Sequence, residues 1–155
     1  MTVEQKTAFM GEALRLAREA FDDGEAPIGA VIVRGGEVIA SGRNRREKGR
    51  NALYHAEVEA IDNACKKLGG WRLPGCSMFV TLEPCPMCAG AIINSRIESV
   101  YFGAYDKKAG SVGSLVNLFE LDYNHKPYFE GGIESERCAG ILSEFFSSLR
   151  AKKKM

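Results

Sequence analysis

The sequence predicts a three-layer α/β/α domain, and three observations carry that prediction. Apolar residues recur at three-to-four-residue spacing near both ends of the chain, short apolar and β-branched runs alternate with helical stretches, and glycine or proline marks the boundaries between them. Strands interleaved with helices bury both faces of a sheet under helical layers, with a hairpin at one edge.

The first helix is read from Met10, Ala13, Leu14, Ala17, Ala20 and Phe21, which share a face and leave Glu12, Arg15, Arg18 and Glu19 on the other. Thr2 with Gln5 has the form of a capping box. Gly24 stops the helix and Pro27 blocks its continuation, after which Ile28 to Val33 and Glu37 to Ala40 form a hairpin about Gly35-Gly36. A polar, arginine-rich loop leads into a second helix over His55 to Leu68, closed by Gly69-Gly70. Met78, Phe79, Val80 and Leu82 make Ser77 to Leu82 a buried strand. Pro84 and Pro86 then mark the start of a third helix that ends near Ser95, because a missing N–H costs nothing in a first turn. Ser99 to Gly103 is another short strand, and the glycine-rich stretch from Ala109 to Ser114 is loop. A last helix over Ser135 to Arg150 carries Cys138, Ile141, Leu142, Phe145, Phe146 and Leu149 on one side.

At 155 residues the chain fits one domain of roughly 100–200 residues, expected over residues 1–150 with a basic tail at 151–155. Apolar residues at 45% and charged residues at 26% are the balance of a globular chain and argue against disorder. No apolar run approaches the ~18 residues needed to span a bilayer, and the start MTVEQKTAFMGEALRL lacks the pattern of a signal peptide, so the cytoplasm is the expected compartment. Five cysteines, an odd number in a chain with its own core, point to metal or catalysis rather than a disulfide framework. A net charge of +1 leaves the overall field undecided about acidic partners, but Arg43, Arg45, Arg46, Lys48 and Arg50 cluster with only Glu47 opposing them nearby, and Arg150, Lys152, Lys153 and Lys154 crowd the end.

Cys85 and Cys88 stand three apart at a predicted helix start, so both sulfurs project from one face, and the helix N-terminus favours their thiolates. The thirty residues back to His55 span a helix and a strand, enough to bring an imidazole to the same point. One imidazole and two thiolates make three ligands, and tetrahedral zinc held by three ligands keeps a fourth position for water, with the Lewis acidity to draw that water towards hydroxide. Hydrolysis at such an ion also needs a carboxyl to move protons from the water to the leaving group, and Glu57 is the candidate.

His55-Ala56-Glu57 with Pro84-Cys85-Pro86-Met87-Cys88 matches the H-x-E and P-C-x-x-C signature of the zinc cytidine/adenosine deaminase superfamily. Met87 to Ile92, Asn94 to Ile97, and Phe102-Gly103-Ala104 through Asp106 to Gly113-Ser114-Leu115 are similar to the bacterial tRNA-specific adenosine deaminases, the TadA family, over nearly the whole chain. The resemblance implies a cytidine-deaminase-like fold with a central mixed sheet of about five strands, and conversion of adenosine to inosine at the wobble position of a tRNA anticodon. It also implies a homodimer with one zinc per subunit. By motif it puts Asn44 on the target nucleotide, Asp106 on the anticodon-loop backbone, and Asn124 and Arg150 at further RNA contacts. An anticodon stem-loop suits such chemistry, because its unstacked base can be splayed into a pocket.

Plainer readings stand beside these. A lone C-x-x-C is as often a redox pair or half of a structural zinc site, but a closed site needs a fourth ligand, and Cys65, Cys76, Cys138 and His125 lack paired spacing. Cys65 and Cys138 fall on apolar helix faces and read as small hydrophobes, while Cys76 stays open. His125 beside Asn124 reads equally as incidental or functional, and the lysine tail as a solubilising end. Phe145 and Phe146 are adjacent on a helix, so one of them should reach the surface. A deaminase of a free base such as guanine or cytosine would share the zinc motif, and a zinc-stabilised RNA-binding module without chemistry is the rival from another class.

Overall fold

The computed structural model describes residues 1–154. Helix α1 (Val3–Asp22) opens on the capping box, Thr2 Oγ1 accepting from the Gln5 N–H at 3.1 Å while Gln5 Oε1 accepts from the Thr2 N–H at 2.8 Å. Gly35 and Gly36 take positive φ angles of 59° and 78° and turn β1 (Gly29–Arg34) back into β2 (Glu37–Arg43). The second strand runs three residues past Ala40, because pairing with β1 continues to Gly29 opposite Arg43. The arginine-rich segment contains a one-turn helix, α2 (Arg46–Gly49), where only loop was expected. Helix α3 (Ala56–Leu68) ends on Gly69 in the left-handed region, β3 spans Cys76–Leu82, and α4 (Pro86–Asn94) starts with proline in its first turn. Strand β4 (Ser99–Ala104), a short 3-10 turn at Leu118–Glu120, strand β5 (Tyr128–Glu130) and helix α5 (Ser135–Lys153) complete the chain. The last helix passes Arg150, and within the predicted basic tail Met155 lies outside the described residues.

The sheet is mixed, in the order β2-β1-β3-β4-β5, with β1 antiparallel to both its neighbours and β3, β4 and β5 parallel. Alternation along the strands sorts the core into two layers. Ala30, Ile32, Met78, Val80, Val100 and Phe102 face α3 and α4, while Val31, Val33, Phe79 and Tyr101 face α1 and α5. At Gly42 on β2 a Cβ would overlap the Ala56 carbonyl and the Ala60 N–H, so a residue without one lets the first turns of α3 lie directly on the sheet. Phe145 is buried and packs edge-on against Phe21, whereas Phe146 is exposed on α5.

The parallel pairing of β3 with β4 places the chain that follows both strands at one end of the sheet. Residues 83–85 and 105–108 therefore leave the sheet side by side, and the N-termini of α3 and α4 come to the same end.

Candidate active site

His55 and Cys85 occupy equivalent places, each the residue just before its helix, in extended backbone at φ −88°, ψ 153° and φ −75°, ψ 174°. This resolves a difficulty in the H-x-E spacing. On a regular helix positions two apart diverge, but His55 lies outside α3 while Glu57 lies in its first turn. His55 Nδ1 stands 3.7 Å from Cys85 Sγ and 3.5 Å from Cys88 Sγ, and the three ligand atoms lie within 4.8 Å of one another. A tetrahedral ion with bonds of ~2.0–2.3 Å has ligand-to-ligand edges of roughly 3.3–3.8 Å, so this spacing and this nitrogen-and-sulfur donor set fit zinc.

The electrostatics agree with the donor chemistry. Hydrogen bonds from the Cys88 thiol and the His55 ring outweigh burial and bring Cys85 down to about 4. Cys88, donating to that sulfur and fully buried, is pushed up. The bond to Cys85 raises His55 against the effect of its burial. Two helix N-termini aimed at the cluster add partial positive charge that favours anionic ligands. Glu57, 4% exposed, is pushed up to about 7, chiefly by burial. A carboxyl with that value exchanges a proton readily near neutral pH.

The positions predicted to touch RNA are distributed unevenly. Asn44 is buried at the end of β2, its N–H donating to the Ile28 carbonyl at 3.1 Å. Ile28 lines a groove with Tyr105, Asp106, Lys107, Lys108 and Phe146, and an adjoining groove runs from Lys108 and Phe146 to Leu149, Arg150 and Lys153. Asp106 and Arg150 thus border one continuous surface on which the exposed Phe146 stands, and Asn44 is tied to its edge through Ile28. Asn124 is exposed beside His125, whose Nε2 meets the Ile97 carbonyl at 2.6 Å. Ile97 precedes β4 while Asp106 follows it, so within one chain Asn124 sits about a strand length, roughly 20 Å, from Asp106.

The basic segment is less free than its sequence suggests. Arg43 and Lys48 both pair with Asp23, at 3.0 and 2.9 Å, and Arg45 pairs with Glu59 at 3.0 Å. Counting only Glu47 against the cluster overlooked these acids because the residue that caps α1 and a residue of α3 supply them. Two buried acids also escaped the sequence reading. Glu25 accepts from the Glu47 and Lys48 N–H groups at 3.0 and 2.8 Å and so seats the start of α2. Glu83, between Leu82 and Pro84, accepts from the N–H groups of Asp106, Val112 and Ser114. Their one sequence signal was an acidic residue next to a proline or separated from it by a single apolar residue at an element boundary.

The comparisons agree with this geometry. The model of the MafB19-like deaminase family matches residues 4–150. A tRNA-specific adenosine deaminase of Bacillus subtilis is 50% identical over 151 residues, 97% of this chain and 94% of its own length. A solved structure from work on A-to-I editing by tRNA:A34 deaminases at the wobble position superposes with a TM-score of 0.85 at 45% identity, covering 88% of this chain and 99% of the other. A guanine deaminase from Nitrosomonas europaea superposes with a TM-score of 0.76 at 26% identity, covering 90% of this chain and 83% of the other.

Proposed function

The chain belongs to the MafB19-like deaminase family and to the tRNA-specific adenosine deaminases, and from that premise we propose that it hydrolyses adenosine to inosine at the wobble position of a tRNA anticodon. The observation that carries this reading is the cluster of one imidazole and two sulfurs at converging helix N-termini, with a buried carboxyl in the first turn beside it.

His55, Cys85 and Cys88 would hold one zinc per subunit. A zinc ion held there supplies the Lewis acidity that makes a water nucleophilic near neutral pH. Glu57 takes a proton from the attacking water and delivers it to ring N1 as the oxygen bonds to C6. It then carries the second proton to the exocyclic nitrogen, so that the C6–N bond breaks and ammonia leaves.

Asn44, whose neighbour Arg45 donates its N–H to the carbonyl of Tyr54 just before His55, would meet the target nucleotide. Asp106 and Arg150 would meet the loop and stem along the surface they share, with Phe146 offering a ring for stacking. Asn124 would make a further RNA contact. The homodimer is supported by Leu115, Val116, Leu121 and Tyr123, large apolar side chains that a lone chain leaves exposed. A tRNA substrate puts the work in the cytoplasm, and among the described residues no helix is long and apolar enough to cross a membrane.

The test is inosine formation in a synthetic anticodon stem-loop carrying adenosine at the wobble position. Deamination that falls as salt rises supports the reading. The likeness to a guanine deaminase makes free guanine the informative control, and activity on guanine without activity on the stem-loop would replace the reading with that of a free-base enzyme.

A further inference from the structure

Glu83 is absent from the chemistry above, yet it is 2% exposed and every donor around its carboxylate comes from one loop. Oε1 accepts from the Asp106 N–H at 3.0 Å and from the Ser114 hydroxyl. Oε2 accepts from the Val112 N–H at 3.1 Å and the Ser114 N–H at 3.0 Å. The seat is built to admit a carboxylate: a Cβ at Gly110 would overlap both the Glu83 carboxyl and the Asp106 carbonyl. The flanking main chain joins the same two segments, the Glu83 N–H donating to the Ala104 carbonyl at 2.8 Å and the Ser111 N–H to the Pro84 carbonyl at 2.9 Å.

The tied segments have different duties. One is the turn between β3 and α4 that delivers Cys85. The other carries Asp106 and the exposed Lys107 and Lys108 along the groove that leads to Arg150. We propose that Glu83 is a positioning residue that holds the Asp106 loop at a set height over the metal-binding turn, so that the RNA backbone is gripped in register with the reacting base. This inference rests on the RNA-deaminase reading. A carboxylate is needed because all four partners are donors, and an amide would turn its own N–H groups towards some of them. A loop ordered before the substrate arrives spares binding the cost of ordering it.

The test compares E83Q, S114A and the unsubstituted protein by metal content, steady-state kinetics on the wobble-adenosine stem-loop, and amide hydrogen exchange over residues 106–114. E83Q should keep near one metal per chain and its helical signal, raise KM about tenfold or more, change kcat by less than about threefold, and exchange its loop amides faster. S114A removes only the hydroxyl donor and should move KM and exchange the same way by less, which covers the case of an E83Q protein that does not fold. A lower melting temperature with KM unchanged would reduce Glu83 to a structural role and overturn the proposal. Loss of metal in E83Q would overturn it too, by showing action through Cys85. Should the unsubstituted protein leave the stem-loop unmodified, the functional reading falls by itself, and unaltered amide protection in the variants would still refute the clamp.

Discussion

Replacing Glu25 with alanine would free the arginine-rich segment that runs into His55, and the structure sets the size of the effect. The carboxylate is 1% exposed and accepts two main-chain N–H groups at 3.0 and 2.8 Å. Hydrogen bonds to a charged group contribute about 1.5–3 kcal/mol each, which bounds the loss near ~3–6 kcal/mol. Glu47 and Lys48 are exposed, so their freed N–H groups find water, and the variant no longer carries a desolvated carboxylate. Those two effects bring the expected loss to about 2–4 kcal/mol. Urea unfolding followed through Trp71, the only tryptophan, measures it, with the slope against urea unchanged. Asp23→Ala is the matched control. It breaks ion pairs to Arg43 and Lys48 at a partly exposed site, where each pair contributes about 0–1 kcal/mol. A loss below about 1 kcal/mol for Glu25→Ala, or an equal loss for Asp23→Ala, would refute the assignment of Glu25 as the main tether.

Three further outcomes follow from the same contacts. Gly42→Ala drives a methyl into the first turns of α3 and should cost about 1–3 kcal/mol while weakening metal affinity measurably, since His55 and Glu57 flank that turn; unaltered metal affinity would show that the turn yields without moving them. Burial pushes the Glu83 carboxyl up, but the Ser114 hydroxyl and three main-chain N–H groups outweigh it and hold it below 4.5. Its stabilisation is thus present above that value and lost as pH falls through the lower folded one, so the stability gap between the unsubstituted protein and E83Q should narrow on acidification, and a widening gap would contradict the sign. Chelation should abolish inosine formation and leave far-UV circular dichroism largely intact, because α3 and α4 are anchored by buried Ala60, Ala64, Ala89 and Ile92; loss of the helical signal would mark the site as structural.

What the sequence made legible was what depends on near neighbours. The Cys85–Cys88 spacing, the capping box at Thr2 and the glycine stop at Gly69 are each set within a turn of chain, and all three stand in the structure as read. Strand β5 was missed because three residues show no alternation, and it exists only through its pairing with Ser99 to Tyr101. The one-turn helix α2 was missed for a similar reason, since Glu25 lies more than twenty positions before the N–H groups it holds. Charge was misjudged by the same route, the partners of Arg43, Arg45 and Lys48 coming from the cap of α1 and from α3. Periodicity foresaw that one of Phe145 and Phe146 would be exposed but not which, because the choice is made by Phe21 on a different helix.

The most direct test of an open three-ligand site served by a separate carboxyl is Glu57→Gln, assayed together for bound zinc and for inosine in the wobble-adenosine stem-loop. Zinc should stay near one per chain while turnover falls about a hundredfold to ten-thousandfold or further. A variant that loses zinc in step with activity would make Glu57 a fourth ligand and close the position at which water is to react.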